Sequence, residues 1–169
     1  MNDERVVCQV FRVVLPSRMV DGDPAADRLP VVVTDEARRI HAESYVFDGH
    51  NDLPWALRTE AGSSFEKADI SGSTPQFQTD LPRLRKGGVG AVFWSVYVPP
   101  SYAGDRAVSA TLEQIDLVHR MIERYPNDLE LALTAGDIER IHRQGKVASL
   151  IGVEGGHSIN GSLGVLRML

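Results

Sequence analysis

The sequence holds a single cysteine, Cys8, in 169 residues. No disulfide can close within the chain, and a thiolate zinc site is excluded. The same scarcity fits a reducing compartment, and with no signal peptide visible at the N-terminus the cytoplasm is the expected location. No apolar run approaches the roughly 20 residues needed to cross a bilayer. The nearest candidate, Val6 to Leu15, is broken by Gln9 and Arg12. Acids at Asp3 and Glu4 stand where a secretory leader carries bases, so no signal peptide and no membrane segment are expected. Positive charge is also short. With a net charge of −5 and a pI near 5.5, there is no basic stripe to neutralise phosphates, and nucleic acid is not an expected partner. No internal repeat is visible.

What remains is the composition of a soluble globular domain. Residues 1–32 read as a lead-in with a turn cluster at Asp21-Gly22-Asp23-Pro24, and residues 33–169 carry the regular pattern. Thr34-Asp35-Glu36 has a capping side chain followed by acids, the start of a helix running to about Glu43. Tyr45-Val46-Phe47 is a short strand that ends in a glycine turn at Gly49, which presents His50 and Asp52. Leu53 to Arg58 reads as one or two helical turns with proline near the start. Thr59 to Thr74 is a long loop rich in glycine, serine and charge, of the kind that often rims a site. Thr79 to Arg85 is a short helix stopped by Gly87-Gly88. The Gly87-Gly88-Val89-Gly90 cluster precedes a strand, so it is no dinucleotide fingerprint.

Val89 to Val98 is almost unbroken apolar sequence, as a strand buried on both faces requires, and such strands belong to parallel sheets. Val108, Leu112, Ile115, Val118 and Ile122 then recur at helical spacing and predict the core-facing stripe of an amphipathic helix. A short strand is expected at Leu129 to Leu133, a helix capped by Thr134 from Ala135 to Gln144, and a buried strand from Val147 to Val153. Ser162 to Leu169 begins another helix. His41, His119 and His142 fall on helices as packed or surface residues. Trp94 and Tyr97 read as a mixture of core and rim.

Strands alternating with helices give an α/β fold with a parallel sheet, either doubly wound or a (β/α)8 barrel. Both place functional groups at the carboxyl ends of strands. His50, Asp52 and Glu154 all stand there. In an extended backbone, residues i and i+2 share a side, so His50 and Asp52 aim at one point. Imidazole and carboxylates together suit a divalent metal, zinc first, and three protein ligands leave a position open for water. Taken alone, His-x-Asp equally describes a strand end facing solvent, and Glu154 equally opens a glycine turn.

Three stretches, FDGHNDLPWALR (Phe47 to Arg58), QTDLPRLRKGGVGAVFWSVYVP (Gln78 to Pro99) and GKVASLIGVEGGHSI (Gly145 to Ile159), closely resemble the membrane dipeptidase family, also called renal dipeptidases. The resemblance runs from about Val33 to Leu169. It implies a (β/α)8 TIM barrel of the metal-dependent hydrolase type and zinc-dependent hydrolysis of dipeptides by a metal-bound hydroxide. It further implies two zinc ions per complete enzyme. His50 and Asp52 would ligate the first, and Glu154 would bridge both, as an anion must between two close cations. A homodimer is possible for the complete protein.

In that family the second zinc takes two later histidines, another histidine and an arginine bind substrate, and a late aspartate handles the proton. No matching positions stand in these 169 residues. His157 belongs to the GVEGGH block and is not expected to ligate. A whole barrel takes about 250 residues, so the fold expected is a partial, C-terminally truncated barrel of three or four strand–helix units. The isolated chain is expected to be inactive, and its substrate-binding residues are not assigned. Two alternatives stay open: a metal-dependent hydrolase of another amide, and a non-catalytic fragment that binds a metal or a partner.

Overall fold

A computed structural model describes residues 32–169. The lead-in expected over residues 1–32 therefore lies almost wholly outside the described residues. Helix α1 (Asp35–Glu43) starts where Thr34 accepts a hydrogen bond from the Ala37 amide at 3.1 Å, and it buries nothing. Strand β1 (Val46–Asn51) follows, then α2 (Leu53–Ala61) and α3 (Leu81–Lys86). Next come β2 (Val89–Tyr97), the long α4 (Asp105–Arg124), β3 (Leu129–Leu131) and α5 (Ala135–Arg143). Strand β4 (Val147–Glu154) leads through a 3-10 turn at Gly156–Ile159 into α6 (Leu163–Met168). Among the described residues no helix is long and apolar enough to cross a membrane.

All pairings are parallel, as the continuous apolar runs require. The order is β1-β2-β4-β3. Three strands thus stand side by side in chain order, and among the described residues β3 is an added edge that pairs only with the first residues of β4. On one face, Val92, Trp94 and Val96 of β2 meet Leu53 and Leu57 of α2, Leu81 and Leu84 of α3, and Leu117, Val118 and Met121 of α4. Complete burial of each aliphatic side chain contributes about 1.5–3 kcal/mol. On the other face, α5 sets Ile138 and Ile141 over Ala91, Ala148 and Leu150. Trp94 is entirely core, so only Tyr97 of the expected mixed pair reaches the rim.

Two expectations need correction. Of the predicted α4 stripe, Val118 is buried and Ile115 and Ile122 pack against the core, but the fully buried face, Ala107, Ala110, Thr111, Gln114, Leu117, Val118 and Met121, is rotated by about one position. Leu112, expected inside, is 51% exposed. Small residues bring the helix flush against the sheet, and Gln114 is buried because its amide donates to the Tyr97 carbonyl at 3.3 Å. The loop after α2 is likewise no mere rim: Phe65, Ala68, Ile70 and Phe77 are buried in the core.

Gly90 shows why its position carries no side chain. A Cβ there would lie 2.4 Å from Tyr45 Cβ and 2.8 Å from His142 Nδ1, and the Tyr45 and His142 rings meet at a 45° tilt with centroids 4.6 Å apart. Gly90→Ala is expected to destabilise the chain by about 2 kcal/mol through overpacking. A lowered urea midpoint at unchanged slope is the readout, and an unchanged midpoint would show that the contact yields freely.

Candidate metal centre

The centre begins with an irregularity. The β1–β2 register shifts between Asp48 and Asn51, and His50 lies within that shift. A bulge of this kind re-aims side chains at a strand end. Asp48 holds it: one carboxylate oxygen accepts from the His50 amide at 3.1 Å and the other from Asn51 Nδ2 at 2.8 Å. Asn51 in turn accepts from the Leu53 amide at 3.1 Å and donates to Thr79 Oγ1 at 3.0 Å. Asp52 is not a strand residue. It is the residue before α2, at φ −87° and ψ 15°. The convergence of His50 and Asp52 therefore comes from the bulge and the turn, not from simple strand alternation.

His50 Nε2 lies 3.2 Å from Asp52 Oδ1 and 3.4 Å from Glu154 Oε2. One ligating atom from each of the three falls within 4.8 Å of the others, and this is the group of metal-type donors found among the described residues. Bonds of about 2.0–2.2 Å at tetrahedral angles separate neighbouring donors by about 3.3–3.6 Å. The observed 3.4 Å falls on that edge and the 3.2 Å lies just below it. Two carboxylates beside one imidazole gather negative charge that a divalent cation offsets. The donor set therefore fits a metal.

Ser95 of β2 donates to Glu154 Oε2 at 2.8 Å. Tyr97 pairs with Glu154 across the sheet and meets Trp55 of α2 edge-on, with centroids 5.1 Å apart. A cavity of about 280 Å³ opens beside His50 and Asp52, walled by Leu53, Ala56, Phe77, Gln78 and Thr79. His157 stays apart from the donors. Its ring packs on Gly155, where a Cβ would lie 2.5 Å from His157 Cε1 and where φ is +94°, so only glycine suits. His41 and His119 are exposed, and His142 packs against Tyr45.

Sequence reading missed Asp48, Asn51, Thr79 and Ser95. Asp48 and Asn51 were readable in principle, because Asp and Asn favour turns closed by their own side chains. Ser95 shares a strand face with Tyr97, but its partner sits on another strand and needs the register.

A parallel α/β sheet with a His-Asp-Glu cluster at the carboxyl ends of its strands is the layout of a metal-dependent hydrolase. The particular family follows from comparison with known proteins. Residues 34–169 match the membrane dipeptidase family, peptidase family M19, and the chain belongs to it. Dipeptidase ataJ of Aspergillus terreus (strain NIH 2624 / FGSC A1156) is 41% identical over 132 residues, covering 73% of this chain and 32% of that protein. Dipeptidase verJ of Clonostachys rogersoniana is 40% identical over 144 residues, covering 79% and 37%. The chain thus spans about a third of the length of these relatives.

Among solved structures, the dipeptidase AC, a metallopeptidase of family M19, superposes with a TM-score of 0.60 at 26% identity. That match covers 73% of this chain and 39% of the other. A metallopeptidase from Rhodobacter sphaeroides, liganded with a phosphinate mimic of L-Ala-D-Ala, gives 0.57 at 24% identity over 73% and 42%. The likeness to these TIM-barrel-like dipeptidases covers the part of the fold that the chain spans. Family membership and the donor cluster together support a metal cofactor.

Proposed function

We propose that this chain supplies part of the metal centre of a dipeptide hydrolase, with a divalent metal, zinc first, held by His50, Asp52 and Glu154. The observation that carries this is the convergence of three metal-type donors within 4.8 Å of one another, with His50 Nε2 3.2 and 3.4 Å from the two carboxylates, in a chain of the dipeptidase family. When bound, the metal supplies Lewis acidity toward a carbonyl and an activated water. His50 offers a neutral nitrogen, and Asp52 and Glu154 supply the negative charge that draws the cation in. Glu154, with two carboxylate oxygens, is the ligand able to bridge to a second ion. The cavity beside His50 and Asp52 suits one small side chain of a dipeptide, apolar toward Leu53, Ala56 and Phe77 and polar toward Gln78 and Thr79. A cytoplasmic site of action belongs to the same proposal, and the single cysteine fits it.

Isothermal titration of the metal-free chain with Zn²⁺ is the direct test. One ion per chain is expected, with binding weakened at low pH as protons compete for the ligands. No dipeptide turnover is expected from these 169 residues alone, because the donors described hold only one ion. A chain that takes up neither Zn²⁺, Mn²⁺ nor Co²⁺ sinks the assignment of the ligands. Robust hydrolysis of L-Ala-D-Ala by this chain alone overturns the claim that further ligands are required.

A further inference from the structure

We propose that Ser95 is a positioning residue of the metal centre, its hydroxyl holding the Glu154 carboxylate with Oε2 toward His50 and Asp52. The inference rests on the reading of those three residues as ligands. Ser95 lies two residues before Tyr97 on β2, and Tyr97 is the partner of Glu154 across the sheet. Residues two apart on a strand share a face, so Ser95 and Tyr97 flank the Glu154 side chain. Ser95 is 3% exposed, and its Oγ donates to Glu154 Oε2 at 2.8 Å. The same oxygen is the one 3.4 Å from His50 Nε2.

Glu154 needs such a hold. Its side chain is 44% exposed and has three rotatable bonds, so solvent would otherwise let it turn away from His50. The chemistry of the holder also matters. A lysine or arginine would fix the carboxylate but cancel the charge that attracts the cation. A hydroxyl makes a short hydrogen bond to the ionised oxygen and leaves its charge in place. It occupies one lone pair of Oε2, leaving the other and both on Oε1 for metal.

The test compares Zn²⁺ affinity of the complete 169-residue chain with that of Ser95→Ala, Ser95→Thr and Glu154→Gln, by isothermal titration, beside thermal unfolding of each metal-free protein. Losing a group that orients a ligand costs about 10–100-fold in affinity, and Ser95→Ala is expected at the lower end. Ser95→Thr keeps the donor and is expected to restore binding, since the residue paired with Ser95 across the sheet is Gly152, which carries no side chain. Ser95→Ala removes one oxygen and leaves the backbone ladder intact, so its melting temperature is expected to match the wild type.

Equal affinity of wild type and Ser95→Ala overturns the proposal. So does an equal loss in Ser95→Ala and Ser95→Thr, or a loss of affinity matched by a loss of stability, because each assigns Ser95 to packing. Absence of Zn²⁺ binding by the wild type, or wild-type affinity in Glu154→Gln, removes the ligand reading on which the inference stands.

Discussion

Glu154→Gln is expected to weaken Zn²⁺ binding by roughly 10²–10³-fold, or about 3–4 kcal/mol, at 1.4 kcal/mol per factor of ten. The substitution keeps size, shape and one oxygen acceptor for Ser95, whose hydroxyl now lies 2.8 Å from Oε2. It removes one of two negative charges beside His50 Nε2 and replaces a strong anionic ligand with a weak neutral one. The metal-free protein tells the two causes apart. Two carboxylates share one imidazole nitrogen at 3.2 and 3.4 Å, so removing one charge relieves repulsion when no cation is bound. All three side chains are half exposed, which keeps that relief within about 0.5 kcal/mol. The expected pattern is lost affinity at unchanged or slightly raised stability. A metal-free variant that unfolds early would instead mark Glu154 as a structural residue, and unaltered affinity would remove it from the ligand set.

The sequence showed the frame of the fold because local and global signals agreed there. The apolar run at β2 could only be a strand covered on both faces, and Thr34 and Thr134 each cap the helix that follows as read. Thr134 even closes a full capping box with Asp137. The three donors were legible for a simpler reason. Each stands at the carboxyl end of a strand or one residue beyond it, and parallel sheets gather such ends.

What escaped the sequence depends on packing between elements. The stripe on α4 was read from its largest residues, but the sheet accepts the helix through Ala107, Ala110 and Thr111. Spacing alone could not choose between faces one position apart. The place of β3 outside β4 is set by register, which no local pattern records. The glycine turn expected after Phe47 is absent: β1 runs on through Gly49 to Asn51, and Asp52 takes the turn into α2. The core role of the loop after α2 was hidden because Phe65, Ile70 and Phe77 are scattered singly among glycine, serine and charge.

That loop also carries the second large effect, since Asp80→Ala is expected to cost roughly 3 kcal/mol of stability at neutral pH. The Asp80 side chain is 1% exposed. It caps α3 by accepting from the Arg83 amide at 2.9 Å, and it also accepts from Arg83 Nε at 2.9 Å and the Thr74 amide at 3.0 Å. Loss of the cap costs about 1 kcal/mol, and loss of a hydrogen bond to a charged group about 1.5–3. Arg83 softens the loss, because it is partly exposed and keeps the Thr74 and Phe77 carbonyls at 3.0 and 2.7 Å. The buried Thr74 amide has no such recourse to water.

The charge gives the prediction a pH signature. Burial pushes the Asp80 carboxyl upward, but the hydrogen bonds from Thr74 and Arg83 outweigh it and hold the group below its ordinary range. A carboxylate lowered in the folded state adds stability above its unfolded pKa of about 3.9. That stability is lost as pH falls through the lower folded value. The gap between wild type and Asp80→Ala in urea unfolding should therefore be widest at pH 7 and narrow below about pH 4. A gap independent of pH would mean that shape, not charge, holds the loop. Thr79 adjoins Asp80 and bonds Asn51, which braces Asp48 beneath His50. Loosening the loop should therefore also weaken Zn²⁺ binding, by less than Glu154→Gln, since it disturbs the support of one ligand and removes none.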